Sequence, residues 1–239
     1  MELHFFLDPD FDPEKGALNA DESRHAVKSL RLRAGDRLEV GDGKGRVYTA
    51  AVVDTAGKQL KLEVEDKRVV EKPRNTLVLA IAPPKNQARF DWFLEKSTEL
   101  GVDVIVPILT DRAVRTYVKE GRAGRVLLAA SKQSRRPFLP EFASEEPLES
   151  ILKRATGHRY MAHCRIELNR VKLSDEPRVE VDGLVWVLIG PEGDFSEAEI
   201  QRAEEVGFRG LDLGERRLRT ETAGVLAVGV IKLRQDSKE

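Results

Sequence analysis

A glycine-rich segment in the last third of the chain carries residue types suited to holding a small ligand. It reads Gly190-Pro191-Glu192-Gly193-Asp194-Phe195-Ser196 and stands between an apolar run and a helical pattern. In open α/β sheets, ligands bind beyond the carboxyl end of a strand, which is where such a segment lies. Its glycines let the backbone approach a ligand closely, and its proline stiffens the loop. An ordinary turn between a strand and a helix fits the local pattern equally well.

A second segment combines loop-forming residues with charge. It reads Leu213-Gly214-Glu215-Arg216-Arg217-Leu218-Arg219-Thr220-Glu221-Thr222-Ala223 and again separates a strand pattern from a helix pattern. A charged linker with Thr220 as the helix N-cap is the simpler interpretation. Two such segments at neighbouring strand ends are less expected by chance, and together they favour a ligand site.

Several other chemistries are excluded. The glycines of 41–45 follow a strand pattern, but 46–53 again reads as a strand, so no helix N-terminus is available there for a pyrophosphate. No Gly-Lys-Ser/Thr motif supports nucleotide hydrolysis. One cysteine, Cys164, and four scattered histidines predict neither a disulfide framework nor a metal site.

The elements that position these segments fall into two regions. Residues 1–72 read as mostly β, with a strand at 3–7, a helix at 21–30 and β-rich runs at 37–40, 46–53 and 59–70. This pattern suits a small barrel, and Pro73 marks a plausible boundary.

Strands and helices alternate after Pro73. The predicted strands are 76–82, 102–109, 159–164, 184–190 and 210–213. The predicted helices are 87–100, 122–135, 148–155, 196–206 and 221–234, and Ser196 with Glu199 forms a capping box. Because strands such as 184–189 are continuously apolar, we expect a parallel sheet covered on both faces.

Charge is unevenly distributed although the net charge is only −1. Residues 111–136 contain eight basic and two acidic side chains, and residues 24–46 contain seven and three. Such segregation can form a footprint for RNA, although solvated charged faces are the more common reason for a single cluster. No apolar run approaches the roughly 18 residues of a membrane span, and the N-terminus lacks a signal-peptide pattern. We therefore expect a cytoplasmic, metal-free protein.

The two loops together resemble the signature segments of the RsmE family, whose members methylate N3 of a uridine in small-subunit ribosomal RNA. Further segments are similar to that family: 25–31 with Gly35-Asp36, 95–102 with Lys85, Arg89, Asp91 and Pro107, and 132–135 with the prolines at 137 and 140. The chain departs from the family pattern at Leu3-His4, where an Arg is usual. It also departs at Asp194, where Gly is common, and at Glu215 and Arg217, where Pro and Ile are common.

The resemblance implies an α/β fold in two domains. A PUA-like β-barrel over 1–72 would bind RNA, and a SPOUT α/β domain over 73–239 would carry a C-terminal trefoil knot. The family's members are homodimers that use S-adenosyl-L-methionine, with the methyl-donor pocket near the subunit interface. By position, one wall of the pocket would comprise Leu188, Ile189, Gly190, Glu192 and Gly193, and the other Leu213, Gly214, Leu218 and Thr222.

Two side chains are candidates for the chemistry on the base. Arg219 carries a permanently charged guanidinium that could stabilise the anion developing on uracil. Glu221 is a candidate proton acceptor, although we favour a helix N-terminal charge or an ion-pair partner for it. RNA contacts are predicted for eight basic residues: Arg24, Lys28, Arg31, Arg33, Arg112, Lys132, Arg135 and Arg136. For His25, a place in the folded core or on a helix surface is favoured over a base contact.

We therefore expect an S-adenosylmethionine-dependent rRNA (uridine-N3) methyltransferase whose partner is 16S ribosomal RNA or the assembled small subunit. Two alternatives stay open: a SPOUT methyltransferase acting on another RNA, and a non-catalytic ribosome-assembly factor that binds RNA. A Rossmann-type methyltransferase is less consistent with the sequence, because no glycine-rich loop follows the first strand of the α/β region.

Overall fold

A computed structural model describes residues 3–113, 118–165, 170–172 and 183–236 of the chain. The chain divides into two compact units. The first comprises residues 1–72 and 131–139, and the second comprises 73–130 and 140–239. Arg115, which contributes to the basic stretch 111–136, lies outside the described residues.

The first unit is built on a four-stranded sheet in the order β1-β2-β3-β4. Its strands are β1 (His4–Leu7), β2 (Arg37–Gly41), β3 (Arg46–Asp54) and β4 (Lys61–Val69). β1 pairs parallel with β2, and the other two pairings are antiparallel. The predicted strands are confirmed to within two residues at each end. The hairpin turn expected between β2 and β3 is also confirmed, with Gly43 and Gly45 at positive φ.

The helix predicted over 21–30 forms in two parts. Helix α1 (Ala20–Arg24) begins after Asn19, whose side chain accepts hydrogen bonds from the backbone N–H groups of Asp21 and Glu22. A π-helical turn, His25–Ser29, follows. His25 is exposed at the start of this turn, with its ring edge-on to Phe6, so it lies on the helix surface, one of the two structural positions expected for it. The core itself contains Phe6, Leu18, Leu38, Val40, Tyr48 and Leu60.

Residues 131–139 extend this first unit through backbone hydrogen bonds to the β2–β3 turn. The N–H of Gly45 donates to the carbonyl of Pro137 at 2.9 Å, and the N–H of Leu139 donates to that of Gly43 at 2.9 Å. The ring of Phe138 lies so close to Gly45 that a Cβ there would be 2.6 Å from it. Only glycine therefore fits at this position.

The second unit contains, in its described residues, a sheet of eight strands whose pairings are all parallel. Its strands are β5 (Thr76–Ile81), β6 (Val104–Leu109), β7 (Glu141–Phe142), β8 (Glu146–Pro147), β9 (His158–Ala162), β10 (Arg170–Lys172), β11 (Leu184–Ile189) and β12 (Arg209–Asp212). The order is β10-β12-β9-β11-β5-β6-β7, with β8 paired to β6. The expected parallel sheet is confirmed, and β7, β8 and β10 are short additions to it.

Five helices accompany this sheet: α2 (Gln87–Glu99), α3 (Glu120–Gln133), α4 (Leu148–Arg154), α5 (Glu197–Glu205) and α6 (Thr220–Asp236). All five predicted helices and all five predicted strands of this region are confirmed to within two residues. One core cluster contains side chains of β5, β6, β11, α4 and α5, among them Val106, Ile151, Leu188, Phe195 and Ile200. In the described part of the chain, no helix has the length and apolar character that crossing a membrane requires.

The sheet order brings the two glycine-containing loops together. β11 and β12 both pair with β9, so a single strand separates them. Because the strands are parallel, the loops that follow them leave the same edge of the sheet. Ile189 and Leu211 both face Ala162 in the register of β9.

Candidate functional site

The loop after β11 and the loop after β12 are joined by a hydrogen bond. The hydroxyl of Thr220 donates to the carbonyl oxygen of Gly190 at 3.0 Å. Thr220 is only 5% exposed, so water competes little for this bond. Helix α6 begins at Thr220 itself, and the hydroxyl links the two loops. Thr220 is therefore the first residue of the helix, not the N-cap that the simpler interpretation made it.

A cavity of about 260 Å³ lies between the two loops. Its apolar wall includes Ile189, Leu218, Ala162 and Ala223, and its charged lining consists of Glu192, Asp194, Arg217 and Arg219. A neighbouring cavity of about 70 Å³ shares Ala162, Cys164, Leu218 and Ala223 with it. Together the two reach the lower end of the size range for small-molecule sites, about 300 Å³.

The first loop is fixed by short-range contacts. A Cβ on Gly190 would lie 3.0 Å from the ring of Phe195, which is fully buried. A side chain at position 190 would therefore displace this ring. Asp194 adopts a left-handed backbone conformation with φ 62°. Its carboxylate accepts hydrogen bonds from the N–H of Cys164 and from that of Phe195, each at 2.9 Å. The bond from Cys164 ties the loop after β11 to the end of β9.

The loop after β6 supports the same segment from another side. Arg112 donates from Nη1 to the carbonyls of Gly193 at 2.9 Å and Phe195 at 3.3 Å. The hydroxyl of Ser196 donates to Asp111 at 2.7 Å. The predicted capping box of Ser196 with Glu199 is present in both directions at the start of α5. The glycine loop is thus held at both of its ends.

The second loop turns at Gly214, whose φ of 108° favours glycine. The N–H of Gly214 donates to the carboxylate of Asp212 at 2.9 Å. Close packing continues along α6, where a Cβ on Gly224 would lie 2.7 Å from the ring of Phe93 on α2. The glycines of this region therefore serve both loop geometry and helix packing.

Six of the predicted cofactor residues line the two cavities. Ile189, Gly190, Glu192 and Leu218 line the larger one, and Leu213, Gly214 and again Leu218 line the smaller one. The other three line neither cavity. The side chain of Leu188 is buried in the core, Gly193 faces Arg112, and Thr222 is half-buried on α6.

The sequence analysis did not assign seven further residues that line the larger cavity: Ala162, Cys164, Pro191, Asp194, Arg217, Thr220 and Ala223. Ala162 and Cys164 follow β9, whose position between β11 and β12 no local pattern indicates. Asp194 and Arg217 stand in the quoted loops, and their departure from the family pattern was the available signal. The pKa of the Cys164 thiol is raised by burial and by the charge of Asp194, against opposing effects of Arg217 and Arg170.

The two candidates for chemistry on the base differ in exposure. Arg219 is exposed and lines the larger cavity. Glu221 is only 5% exposed and lies outside that lining. Its Oε1 is 3.6 Å from Nε of Arg89 on α2, and its Oε2 has no hydrogen-bond partner among the described residues. Glu221 thus forms the ion pair that the sequence interpretation favoured for it.

The predicted RNA-binding residues of the first unit fall into two groups. Arg24, Lys28, Arg31 and Arg33 are exposed on or just after the segment containing α1 and the π-helical turn. Lys132 instead pairs with Glu22 at 2.9 Å, and Arg135 pairs with Glu39 at 2.5 Å while also donating to the Leu3 carbonyl. Arg136 is half-buried and donates its N–H to Ser131.

The arginine predicted to bind RNA in the second unit, Arg112, is the side chain that donates to the carbonyls of the glycine loop. Its guanidinium therefore supports the protein's own backbone. Among the described residues, no group of three or more His, Cys, Asp or Glu side chains is arranged to hold a metal ion.

Two family models match the chain. The RNA methyltransferase domain matches residues 70–232, and the RNA methyltransferase PUA domain matches residues 18–65. The first match covers most of the second unit, including both loops and the cavities between them. The second covers most of the four-stranded sheet.

Named proteins are similar over almost the whole chain. The ribosomal RNA small subunit methyltransferase E of Synechocystis is 30% identical over 220 residues, covering 90% of this chain and 71% of its own length. A structure from Porphyromonas gingivalis, described as a probable rRNA-methyltransferase, is 35% identical with a TM-score of 0.90, covering 98% of both chains. The ribosomal RNA small subunit methyltransferase E of Neisseria gonorrhoeae, bound to S-adenosyl methionine, is 25% identical with a TM-score of 0.84, covering 97% of this chain and 98% of its own.

The fold, the paired loops and the two family models agree with the resemblance found in the sequence. The chain belongs to the RNA methyltransferase domain family and, within it, to the RsmE family of small-subunit ribosomal RNA methyltransferases.

Proposed function

We propose that this chain transfers the methyl group of S-adenosyl-L-methionine to N3 of a uridine in small-subunit (16S) ribosomal RNA. The observation that carries the proposal is the cavity between two loops joined by the Thr220–Gly190 hydrogen bond, with Arg219 in its lining. Proteins named ribosomal RNA small subunit methyltransferase E are similar to this chain over most of its length.

The residues of the cavity fit the methyl donor. The flat, largely apolar adenine is matched by the wall that includes Ile189 and Leu218, and the charged amino-acid end by the polar lining. Backbone groups near Gly214 are accessible because this exposed position carries no side chain. Leu188, Gly193 and Thr222 contribute through the backbone and packing that hold the loops. When bound, S-adenosylmethionine supplies an electrophilic methyl group on a sulfonium.

The protein's own task is to position the uracil and to stabilise the charge that develops on it. Methylation at N3 requires that the imide proton pass to a base or to water, and negative charge then develops on the uracil carbonyl oxygens O2 and O4. Arg219 is suited to this charge because its guanidinium is permanently protonated and donates in a fixed fork. Glu221 could accept the proton, but its burial outside the cavity lining and its contact with Arg89 support a positioning role instead.

RNA binding is assigned to both domains. Residues 1–72 form the RNA-binding domain, a PUA-like barrel, and residues 73–239 form the SPOUT domain with its C-terminal trefoil knot. The exposed cations Arg24, Lys28, Arg31 and Arg33 are the first candidates for phosphate contacts. Arg112, Lys132 and Arg135 are weaker candidates, because the contacts described above already engage their side chains, and Arg136 is weaker because it is half-buried. A ribosomal substrate also implies a cytoplasmic location.

The enzyme acts as a homodimer in this proposal. Leu226, Val230 and Leu233 follow one another at i, i+4 and i+7 on α6 and therefore share one face of that helix. Leu226 is 38% exposed and Leu233 is 70% exposed, which supports an apolar face that a second copy could cover. Helix α6 starts at the cavity, so this face would bring the subunit interface near the methyl-donor pocket.

The direct test is transfer of labelled methyl groups from S-adenosylmethionine to unmodified small-subunit particles, with large-subunit particles and transfer RNA alongside. We expect label in small-subunit RNA only. Label in another RNA would keep the enzyme class and overturn the substrate. Absence of both label and methyl-donor binding would favour a ribosome-assembly factor without catalytic activity.

A further inference from the structure

Two residues at which this chain departs from the RsmE sequence pattern line the same cavity. Asp194 stands in the first loop and Arg217 in the second, at positions where the sequence resemblance led us to expect an uncharged residue. Both belong to the lining of the cavity of about 260 Å³. A third departure, Glu215, lies in the same second loop but lines neither cavity. The two substitutions thus add one negative and one positive charge to one site.

Neither added charge is neutralised by the described part of the protein. The two carboxylate oxygens of Asp194 each accept one backbone N–H, and no cation pairs with them there. Arg217 is exposed and makes no hydrogen bond or ion pair with the described residues. Each carboxylate oxygen can accept more than one hydrogen bond, and a guanidinium offers five donors, so both groups keep capacity for a ligand.

Both charged residues line the cavity together with Cys164, whose backbone N–H donates to the Asp194 carboxylate at 2.9 Å. The Cys164 thiol, also in the lining, has a pKa that burial raises most; Asp194 adds to this rise, and Arg217 opposes it. Both side chains therefore lie within electrostatic reach of one thiol. The apolar side chains of Ile189 and Leu218 suit the adenine base of a ligand, which carries no charge. The charges of Asp194 and Arg217 are therefore available to a charged part of the same ligand.

We propose that Asp194 and Arg217 bind the amino-acid end of the methyl donor, Asp194 through the α-ammonium group and Arg217 through the α-carboxylate. This end of the molecule carries both signs of charge, and each sign would meet its opposite in the cavity. The assignment rests on the proposed function, because it presupposes S-adenosylmethionine as the ligand. Both residues act as specificity-determining contacts for the donor and its product.

Comparing the binding of two ligands measures the contribution of the amino-acid end of the donor. S-adenosylhomocysteine and 5′-methylthioadenosine both contain adenosine and an uncharged sulfur, but only the first has the ammonium and carboxylate. Their dissociation constants are measured by isothermal titration calorimetry for the full-length wild type and for Asp194→Asn and Arg217→Ala. Asn is chosen at position 194 because its side-chain oxygen can still accept the hydrogen bond from the Cys164 N–H. Asn also tolerates the positive φ of this position. Glu215→Ala is the matched control in the same loop.

We expect each of the two variants to bind S-adenosylhomocysteine about tenfold more weakly, as loss of a charge-assisted contact implies. Binding of 5′-methylthioadenosine should stay within about twofold of wild type, and Glu215→Ala should change neither affinity. Arg217→Lys, which keeps the charge without the fork, should fall between wild type and Arg217→Ala.

Three results would overturn the inference. Equal weakening of both ligands would assign the two residues to the ribose or to loop geometry, and unchanged affinities would leave them no role in donor binding. Wild-type protein that binds neither ligand would instead remove the proposed function itself, and this inference with it. Unfolding temperatures measured on the same samples separate an altered contact from an altered fold.

Discussion

At the scale of single residues, Arg219 is the side chain most important to the proposed chemistry. It is the exposed guanidinium of the cavity lining that we assign to the uracil. Replacing it by Ala should lower kcat by about 10²- to 10³-fold, as loss of one donor to a developing anion does elsewhere. The dissociation constant for S-adenosylhomocysteine should stay within about twofold. Single-turnover transfer and calorimetry measure the two quantities, and normal turnover by Arg219→Ala would remove Arg219 from the mechanism.

A second residue-scale prediction concerns the reactivity of Cys164. Its raised pKa keeps more of the thiol protonated at neutral pH, so iodoacetamide should alkylate it more slowly than free cysteine. Asp194→Asn removes a charge that raises this pKa and should speed alkylation. Arg217→Ala removes a charge that lowers it and should slow alkylation.

Alkylation rates between pH 7 and 9 give the apparent pKa of each variant, with Glu215→Ala as control. Saturating S-adenosylhomocysteine should protect the thiol, because Cys164 lines the cavity. Identical rates in all four proteins would contradict the placement of Asp194 and Arg217 near this thiol.

Sequence predicted those site residues whose type is set by local backbone geometry. Gly190 could be predicted because a Cβ there would crowd the ring of Phe195. Gly214 could be predicted because its positive φ favours glycine. The contact between Arg89 and Glu221 was not predicted, since it joins residues from helices far apart in the chain. Pairings of this kind depend on tertiary packing, which one sequence does not display.

At the scale of elements, the link between the two loops is the Thr220 hydroxyl. Thr220→Val keeps the shape of the side chain but leaves the buried Gly190 carbonyl without this donor. We expect a loss of about 1–3 kcal/mol in unfolding free energy, together with weaker binding of S-adenosylhomocysteine. Thr220→Ser, which retains the hydroxyl, should lose much less. Chemical denaturation and calorimetry test both variants, and equal behaviour of Val and Ser would show that the hydrogen bond does not join the loops.

Hydrophobic periodicity predicted the elements well, because buried parallel strands and amphipathic helices leave distinct patterns. The run 184–189 is continuously apolar, and it forms the buried strand β11. Strand β10 has only three residues, which is too few to show a hydrophobic period in the sequence. Strand order was beyond the sequence as well: β9 lies between β11 and β12 only because of long-range pairing. This order creates the site.

At the scale of the whole molecule, segment 131–139 shows a limit of sequence analysis. The boundary at Pro73 would assign this segment to the α/β region, yet its contacts group it with residues 1–72. Lys132 and Arg135 pair there with Glu22 and Glu39, respectively. A count of basic residues along the chain therefore overestimates the charge available to RNA.

RNA affinity should fall steeply with salt, because phosphate contacts release counterions. Lys28→Ala and Arg33→Ala each remove an exposed cation and should reduce the slope of log K against log salt by about one. Lys58→Ala, exposed in the same unit, is the control and should leave the slope unchanged. Fluorescence anisotropy with a small-subunit RNA fragment measures the slopes. If the RNA affinity of the wild type did not change with salt, the exposed cations of the first unit would not be the RNA-binding surface.

The dimer proposal predicts that Leu233→Glu yields a monomer, because it places a charge on the exposed apolar face of α6. Light scattering after gel filtration should give about half the wild-type mass. Lys153→Glu on α4, also an exposed position, is the matched control and should leave the mass unchanged. A wild-type protein that is monomeric at micromolar concentration would contradict the proposal.

The central claim is methyl transfer to uridine N3, and nucleoside analysis of the product tests it most directly. Unmodified small-subunit particles are incubated with the protein and methyl-labelled S-adenosylmethionine, and the RNA is digested and separated by chromatography with mass detection. The account predicts labelled 3-methyluridine, about one per particle, from wild type and almost none from Arg219→Ala. Label in any other nucleoside, or equal label from both proteins, would contradict it.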